Sequence, residues 1–167
     1  MGGYSARAHA DLVQALPLAE FVDADLLVGW IRLIKSPAEL AIMRQAGQIA
    51  DAAMQRAIDM VEVGARGCDI AAAAYQHLVS GTADCGGDYP ATPPDLCIGD
   101  RSIAPHAAWT DERLKESTVV NIEVGGNRHR YQVNLARTIV AGTPSAAFEQ
   151  LARLMHDDGP LRLADVA

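Results

Sequence analysis

The stretch TVVNIEVGGN, residues 118–127, decides the fold class of this chain. Its first seven residues alternate between apolar side chains on one face and two polar ones, Asn121 and Glu123, on the other. Such alternation is typical of a strand with one buried face. Residues 128–140 alternate in the same way. The glycine-rich link at 125–127 therefore predicts a hairpin turn between two antiparallel strands.

Two helices are predicted ahead of this hairpin. The segment KSPAE, residues 35–39, has a capping serine, a proline at the first helical position and a glutamate that completes a capping box. Apolar residues then recur at steps of three and four, which predicts a helix of about six turns that ends near Gly64. A second helix is predicted from Asp69 to Ser80, with Gly81 as its stop.

The remaining segments complete an α+β pattern. The Gly-, Asp- and Pro-rich residues 81–94 are predicted to form an ordered loop. A last helix is predicted to start at Thr143-Pro144, with an apolar stripe that includes Phe148 and Leu154. Residues 12–30 show no sustained period, so no element is predicted there. Helices followed by antiparallel strands indicate two helices packed on an antiparallel sheet.

Composition and charge exclude several classes of partner. The chain has 167 residues and a formal net charge of −7, which argues against nucleic acid and against an anionic membrane surface. No apolar run is long enough to span a bilayer. Three cysteines, Cys68, Cys85 and Cys97, show no CxxC spacing. They are predicted to be unpaired thiols in a cytoplasmic protein, not a disulfide frame or a zinc site.

The densest polar sequence, between residues 104 and 138, supplies the candidate site. His106 lies in a loop, and Glu123 lies on the open face of the first predicted strand. An imidazole near a carboxylate is suited to general acid–base chemistry, because histidine titrates near neutral pH. In the predicted hairpin, residues near Asn134 return opposite Glu123. A solvated histidine and a solvated glutamate remain the alternative interpretation.

Several motifs resemble the creatinase/aminopeptidase P/methionine aminopeptidase superfamily, peptidase family M24, which has the pita-bread fold. KSPAEL at 35–40 resembles its entry helix, APH at 104–106 resembles the segment with its first active-site histidine, and YQVNLART at 131–138 resembles its Tyr-x-x-Asp-x-x-Arg-Thr strand. GDYP at 87–90 and APHAAW at 104–109 are similar to ectoine hydrolase, a metal-free branch of the family. The resemblance runs from about residue 12 to residue 142.

The resemblance implies a role for each candidate residue. His106 and Glu123 would be catalytic, His106 as general acid or base and Glu123 as the group that fixes cationic nitrogens of the substrate. Tyr131, Asn134 and Arg137 would bind substrate, although Arg137 shares a strand face with apolar residues and is rated higher as a structural partner. Metal-dependent members carry aspartates where Glu123 and Asn134 stand here, so neither a metal nor another cofactor is implied.

The resemblance also predicts the domain organisation. Residues 1–30 are interpreted as the remnant of a creatinase-type N-terminal domain and linker, and residues 31–142 as the first half of a pita-bread domain. Residues 143–167 are interpreted as a helix and a divergent tail. The family's second half, with a further histidine and two glutamates, is not found. The hypothesis is a truncated reading frame, and full-length relatives are expected to form homodimers.

Three functions remain open at this stage. The first is metal-independent hydrolysis of a C–N bond in a small cyclic amidine, as in ectoine hydrolase. The second is a metallopeptidase of the Xaa-Pro aminopeptidase or dipeptidase type, against which Asn134 argues. The third is a non-catalytic remnant or interaction fragment, because half a domain leaves a sheet edge and an apolar face uncovered.

Overall fold

The computed structural model describes residues 5–104 and 106–157 of the chain. They belong to two compact units, which divide between Ser36 and Pro37. Within the described ranges, no helix combines the length and the apolar character that crossing a membrane requires.

The first unit contains two short helices, α1 at Ala6–Ala15 and α2 at Leu27–Leu33, where the sequence pattern predicted no element. Ser5 caps α1, and its hydroxyl accepts a hydrogen bond from the Ala8 amide at 3.1 Å. No residue of either helix is buried. Neither helix therefore has the buried apolar stripe on which recognition of a helix from sequence depends.

The second unit is an α+β structure, as predicted. Its elements are α3 at Pro37–Asp59, α4 at Gly67–Ser80, β1 at Asp95–Ile98, a 3₁₀ turn at Gly99–Ile103, β2 at Thr118–Arg128, β3 at Tyr131–Ala141 and α5 at Ala146–Asp157. The three strands form one antiparallel sheet in the order β1-β2-β3. The short strand β1 is an addition to the two strands predicted from the sequence.

The helix predictions are confirmed at most of their ends. α3 starts at Pro37, and α4 ends at Ser80, where Gly81 has a positive φ of 71°. α3 ends at Asp59, five residues before the expected stop. α4 starts at Gly67, where the Arg66 guanidinium bonds both carboxylate oxygens of Asp69, at 2.8 and 2.6 Å. This hydrogen-bonded ion pair holds the pKa of Asp69 below its usual value.

The core lies between the two long helices and one face of the sheet. Small residues dominate the α3 side of it, with Ala46, Ala50, Ala53 and Ala57 each fully buried. The other buried side chains come from α4 and from alternate positions of the strands: Ile70, Ala74, Leu78, Leu96, Ile98, Val120, Ile122 and Val124. The predicted apolar face of residues 118–124 is thus confirmed as the buried face.

The predicted position of the hairpin turn is wrong. β2 runs through Gly125-Gly126-Asn127 without a break, and the turn is His129-Arg130. Both turn residues have a positive φ, 48° and 68°, as a two-residue hairpin turn requires. The Asp88 carboxylate accepts the His129 amide N–H and so fixes this turn.

The glycines of β2 serve close packing instead of a turn. A Cβ on Gly126 would lie 2.1 Å from the Ala46 carbonyl oxygen and 2.6 Å from the Ala50 amide nitrogen, both in α3. Real Cβ atoms do not approach backbone this closely, so only glycine lets α3 lie directly on the strand. The GGN segment that resembles a turn in the sequence is therefore a helix-contact site.

We expect Gly126→Ala to lower the free energy of unfolding by about 1–3 kcal/mol, because the added methyl group must push α3 away from β2. Urea denaturation followed by circular dichroism measures this. Gly86→Ala is the matched control, since nothing lies within 4 Å of a Cβ there. An equal loss of stability in both variants would contradict the close-approach explanation.

Candidate active site

The face of the sheet that turns away from α3 carries the polar side chains. Antiparallel register places Asp95 of β1 opposite Glu123 of β2, and Cys97 opposite Asn121. On the other side of β2, Asn121 pairs with Thr138, whose hydroxyl donates to the Asn121 side-chain oxygen at 2.8 Å. Because side chains alternate along a strand, these residues share one face of the sheet.

The strand register confirms that a residue near Asn134 lies opposite Glu123. The residue opposite Glu123 is Ala136, and Asn134 lies two residues away, opposite Gly125. Asn134 still lies on the open face, since 134 and 136 have the same parity.

His106 approaches this face from the segment after β1. Its Nε2 lies 3.9 Å from Glu123 Oε2, and its imidazole is 74% exposed against 40% for the glutamate. His106 has a positive φ of 55°, a conformation that histidine adopts more readily than most residues. The predicted pairing of His106 with Glu123 is therefore present as a contact at the edge of ion-pair distance.

Two kinds of contact hold the segment that carries His106: hydrogen bonds to β1 and an aromatic contact with α4. The Leu96 amide donates to the Ala107 carbonyl at 3.4 Å, and the Cys97 thiol lies 3.7 Å from the Ala104 and Ala107 carbonyl oxygens. Trp109 meets Tyr75 of α4 edge to face, with ring centroids 5.7 Å apart. Burial raises the pKa of the Tyr75 phenol.

All three cysteines are unpaired thiols, as predicted. Cys85 and Cys97 are buried, and Cys68 is partly buried. Cys97 thus serves as packing beneath the His106 segment, and none of the three is part of a disulfide.

Asp95 joins His106 and Glu123 in one cluster. One ligand-type atom from each of the three side chains lies within 4.8 Å of the other two. Two adjoining cavities of about 330 and 460 Å³ share these three residues as lining. Both volumes are in the range of small-molecule sites. Sequence reasoning missed Asp95, because only the pairing of β1 with β2 places it opposite Glu123.

Asn134 borders the larger cavity, and its side-chain amide belongs to a series of hydrogen bonds between side chains. Gln132 Nε2 donates to Asn134 Oδ1 at 2.6 Å, and Gln132 Oε1 accepts from Asn127 Nδ2 at 3.0 Å. One lone pair of the Asn134 oxygen is therefore engaged within the protein. The side chain can still offer a ligand its two N–H donors and a second lone pair.

The other two predicted substrate-binding residues are placed differently. The Tyr131 hydroxyl donates to Glu39 Oε1 at 2.7 Å, which ties the start of β3 to the first turn of α3. Arg137 borders the smaller cavity, and its Nη1 donates to the Ala136 carbonyl at 2.7 Å. Its position on β3 is nevertheless on the same face as Val133, the face that packs on α3. The structure thus groups His106, Glu123 and Asn134 around the cavities and places Tyr131 outside them.

A metal ion fits this site only in part. Asp95, His106 and Glu123 offer two carboxylates and an imidazole, a donor set that suits one divalent first-row cation. A second ion would need further anionic ligands, and the amide of Asn134 supplies no charge. Among the residues that the structure describes, the donor set therefore fits one ion and not two.

The sequence of this chain is similar to those of one family of known proteins. The family model for metallopeptidase family M24 matches residues 41–157. An uncharacterized hydrolase/peptidase of Sinorhizobium fredii is 44% identical over 149 residues, which is 89% of this chain and 38% of that protein. The ectoine hydrolase of Halomonas elongata is 35% identical over 150 residues, 87% of this chain and 38% of that enzyme.

A solved structure has the same fold over nearly all of this chain. The prolidase from Pyrococcus horikoshii OT3 superposes with a TM-score of 0.80 and 27% identity, covering 91% of this chain and 43% of that one. The chain spans about two fifths of the length of the relatives it matches.

We expect Trp109→Ala to loosen the His106 segment, since it removes the aromatic contact with Tyr75. Hydrogen exchange at the Leu96 amide, which bonds Ala107, should become faster, and stability should fall by about 1–3 kcal/mol. Trp30→Ala is the control, because Trp30 is 67% exposed and lies in the first unit. Unchanged exchange at Leu96 in Trp109→Ala would show that Trp109 does not anchor the segment.

Proposed function

Since this chain belongs to metallopeptidase family M24, we propose that its site hydrolyses a C–N bond in a small cationic amidine. The observation that carries the proposal is the approach of His106 Nε2 to Glu123 Oε2 at 3.9 Å, at the wall of a cavity that Asp95 also lines. The similarity to an ectoine hydrolase supports an amidine as the substrate class.

The chemistry assigns one task to each side chain. Glu123 accepts N–H hydrogen bonds from the amidinium group, a charge-assisted interaction that fixes the reacting carbon beside His106. His106 takes a proton from water as the water oxygen bonds to the amidine carbon. One of the two C–N bonds of that carbon then breaks as His106 returns the proton to the leaving nitrogen, and the hydroxyl proton of the adduct passes to the released amine. A cationic cyclic amidine and one water thus become an amide and an ammonium group within one molecule.

Asn134 supports the oxygen side of the substrate in this proposal. Its side-chain N–H groups donate, while its oxygen accepts from Gln132. These donors suit a carbonyl or carboxylate oxygen of the substrate. The partner of the site is therefore a small molecule with a cationic end.

The three unpaired thiols of the chain support a cytoplasmic location for the protein.

One observation favours a second candidate, a metallopeptidase that acts with a single ion. The ligand-type atoms of Asp95, His106 and Glu123 lie within 4.8 Å of one another. A divalent cation bound there would polarise a carbonyl and lower the pKa of a bound water. The similarity to a prolidase structure supports this alternative, and the neutral Asn134 argues against it.

We expect His106→Asn and Glu123→Gln each to reduce ectoine hydrolysis at least about 100-fold, because each removes a group that moves a proton or holds the charged substrate. Asparagine tolerates the positive φ of position 106, so the first substitution removes the imidazole with little backbone strain. The assay uses residues 1–167 without and with added Mn²⁺, Co²⁺ or Zn²⁺, alongside an Xaa-Pro dipeptide.

His129→Asn is the matched control, since His129 also has a positive φ and lies in the hairpin turn. It should retain full activity. Turnover of the Xaa-Pro dipeptide that depends on tightly bound metal would establish the second candidate instead. A folded chain that hydrolyses neither substrate, run beside a sizing measurement, would support the non-catalytic alternative.

A further inference from the structure

Asp95 stands directly opposite Glu123 in the β1–β2 pairing and has no assigned role. It is the first residue of β1, follows Pro93-Pro94 and is partly buried. Directly opposed residues of an antiparallel pair have Cβ atoms about 4.5–5.5 Å apart. The two carboxylates therefore project side by side from the open face of the sheet.

Few positive charges compensate this pair. Within the described parts of the chain, the basic side chain at ion-pair distance from Glu123 is His106, which carries a charge only when protonated, and no ion pair joins Asp95 to a basic residue. Like charges placed opposite each other destabilise a sheet. A fold that keeps both carboxylates at the wall of a cavity is stabilised when a cation binds between them.

We infer that Asp95 is a specificity-determining residue that acts with Glu123 to select a substrate group whose positive charge is spread over two N–H-bearing nitrogens. This inference rests on the function proposed above. An amidinium is planar and directs its N–H bonds towards two separate acceptors. Carboxylates on neighbouring strands provide two such acceptors, and a neutral amide gains no charge-assisted bond from them.

The spacing of the cluster favours an organic cation over a metal ion. Ligand atoms about 2.1 Å from one tetrahedral ion lie roughly 3.4 Å apart. His106 Nε2 and Glu123 Oε2 are 3.9 Å apart, so the cluster must contract before it can hold such an ion. Hydrogen bonds of about 2.8 Å to two different nitrogens of one amidinium let the acceptor atoms lie farther apart than ligands of one ion, and those of Asp95 and Glu123 lie within 4.8 Å of each other.

The test measures binding of acetamidinium to residues 1–167 and compares it with acetamide, a neutral probe of the same shape. We expect Asp95→Asn to weaken acetamidinium binding at least about tenfold, as loss of a hydrogen bond to a charged group does. Acetamide binding should not change. Asp100→Asn is the control, because it removes an equal charge from an exposed residue of the neighbouring 3₁₀ turn.

A stability measurement separates recognition from a structural role. Without ligand, Asp95→Asn should unfold at the same or a higher urea concentration than the parent chain, since it relieves repulsion with Glu123. Equal acetamidinium binding by the parent and Asp95→Asn, or a parallel loss of acetamide binding, would overturn the inference. So would failure of the parent to bind acetamidinium, or tight binding of Mn²⁺ that requires Asp95.

Ectoine hydrolysis and acetamidinium binding test the proposed function and the role of Asp95 separately. If the parent hydrolyses ectoine and Asp95→Asn has an unchanged KM, the inference is wrong and the function stands. If no ectoine is hydrolysed but acetamidinium binding still depends on Asp95, the function is wrong and the inference stands.

Discussion

The close approach of α3 to β2 at Gly126 is the constraint on which the rest of the second unit depends. A side chain at this position would meet the backbone of Ala46 and Ala50 within 2.1–2.6 Å. Because the helix lies this near the strand, alanines suffice to fill the interface, and the core forms from few large residues. One face of the sheet therefore packs against α3. The side chains at the alternate strand positions, which include Asn121 and Glu123, lie on the other face.

The same commitment explains which parts of the fold the sequence could predict. α3 and α4 bury a continuous stripe and have identifiable starts and stops, so their patterns suffice. α1 and α2 bury nothing, and β1 has only four residues, too few to establish a period. The predicted position of the hairpin turn was wrong for a physical reason. Glycine permits both a turn and a close helix contact, and sequence alone does not distinguish these uses. The turn residues His129 and Arg130 carry no glycine signal at all.

The candidate site divides in a similar way. His106 and Glu123 could be proposed from their residue types and their resemblance to a family, and the structure brings their side chains within 3.9 Å. Their roles in catalysis stay predictions. Asp95 could not be found, because a single aspartate after two prolines has no local pattern, and only strand register gives it a partner. Tyr131 matches a family motif, yet its hydroxyl bonds Glu39, so a motif match did not predict which face of the strand it serves.

Charge and exposure together separate recognition from catalysis in this site. Two carboxylates on adjacent strands attract a cation through a field that persists in a wet cavity, although water weakens it. The acid–base role proposed for His106 would gain more from a water-excluded setting, because its imidazole is 74% exposed. Selective binding of a cationic ligand therefore needs only the geometry that the sheet already provides. A small molecule in the cavity that His106 lines would cover the imidazole in part, and the proposed hydrolysis would gain from that exclusion of water.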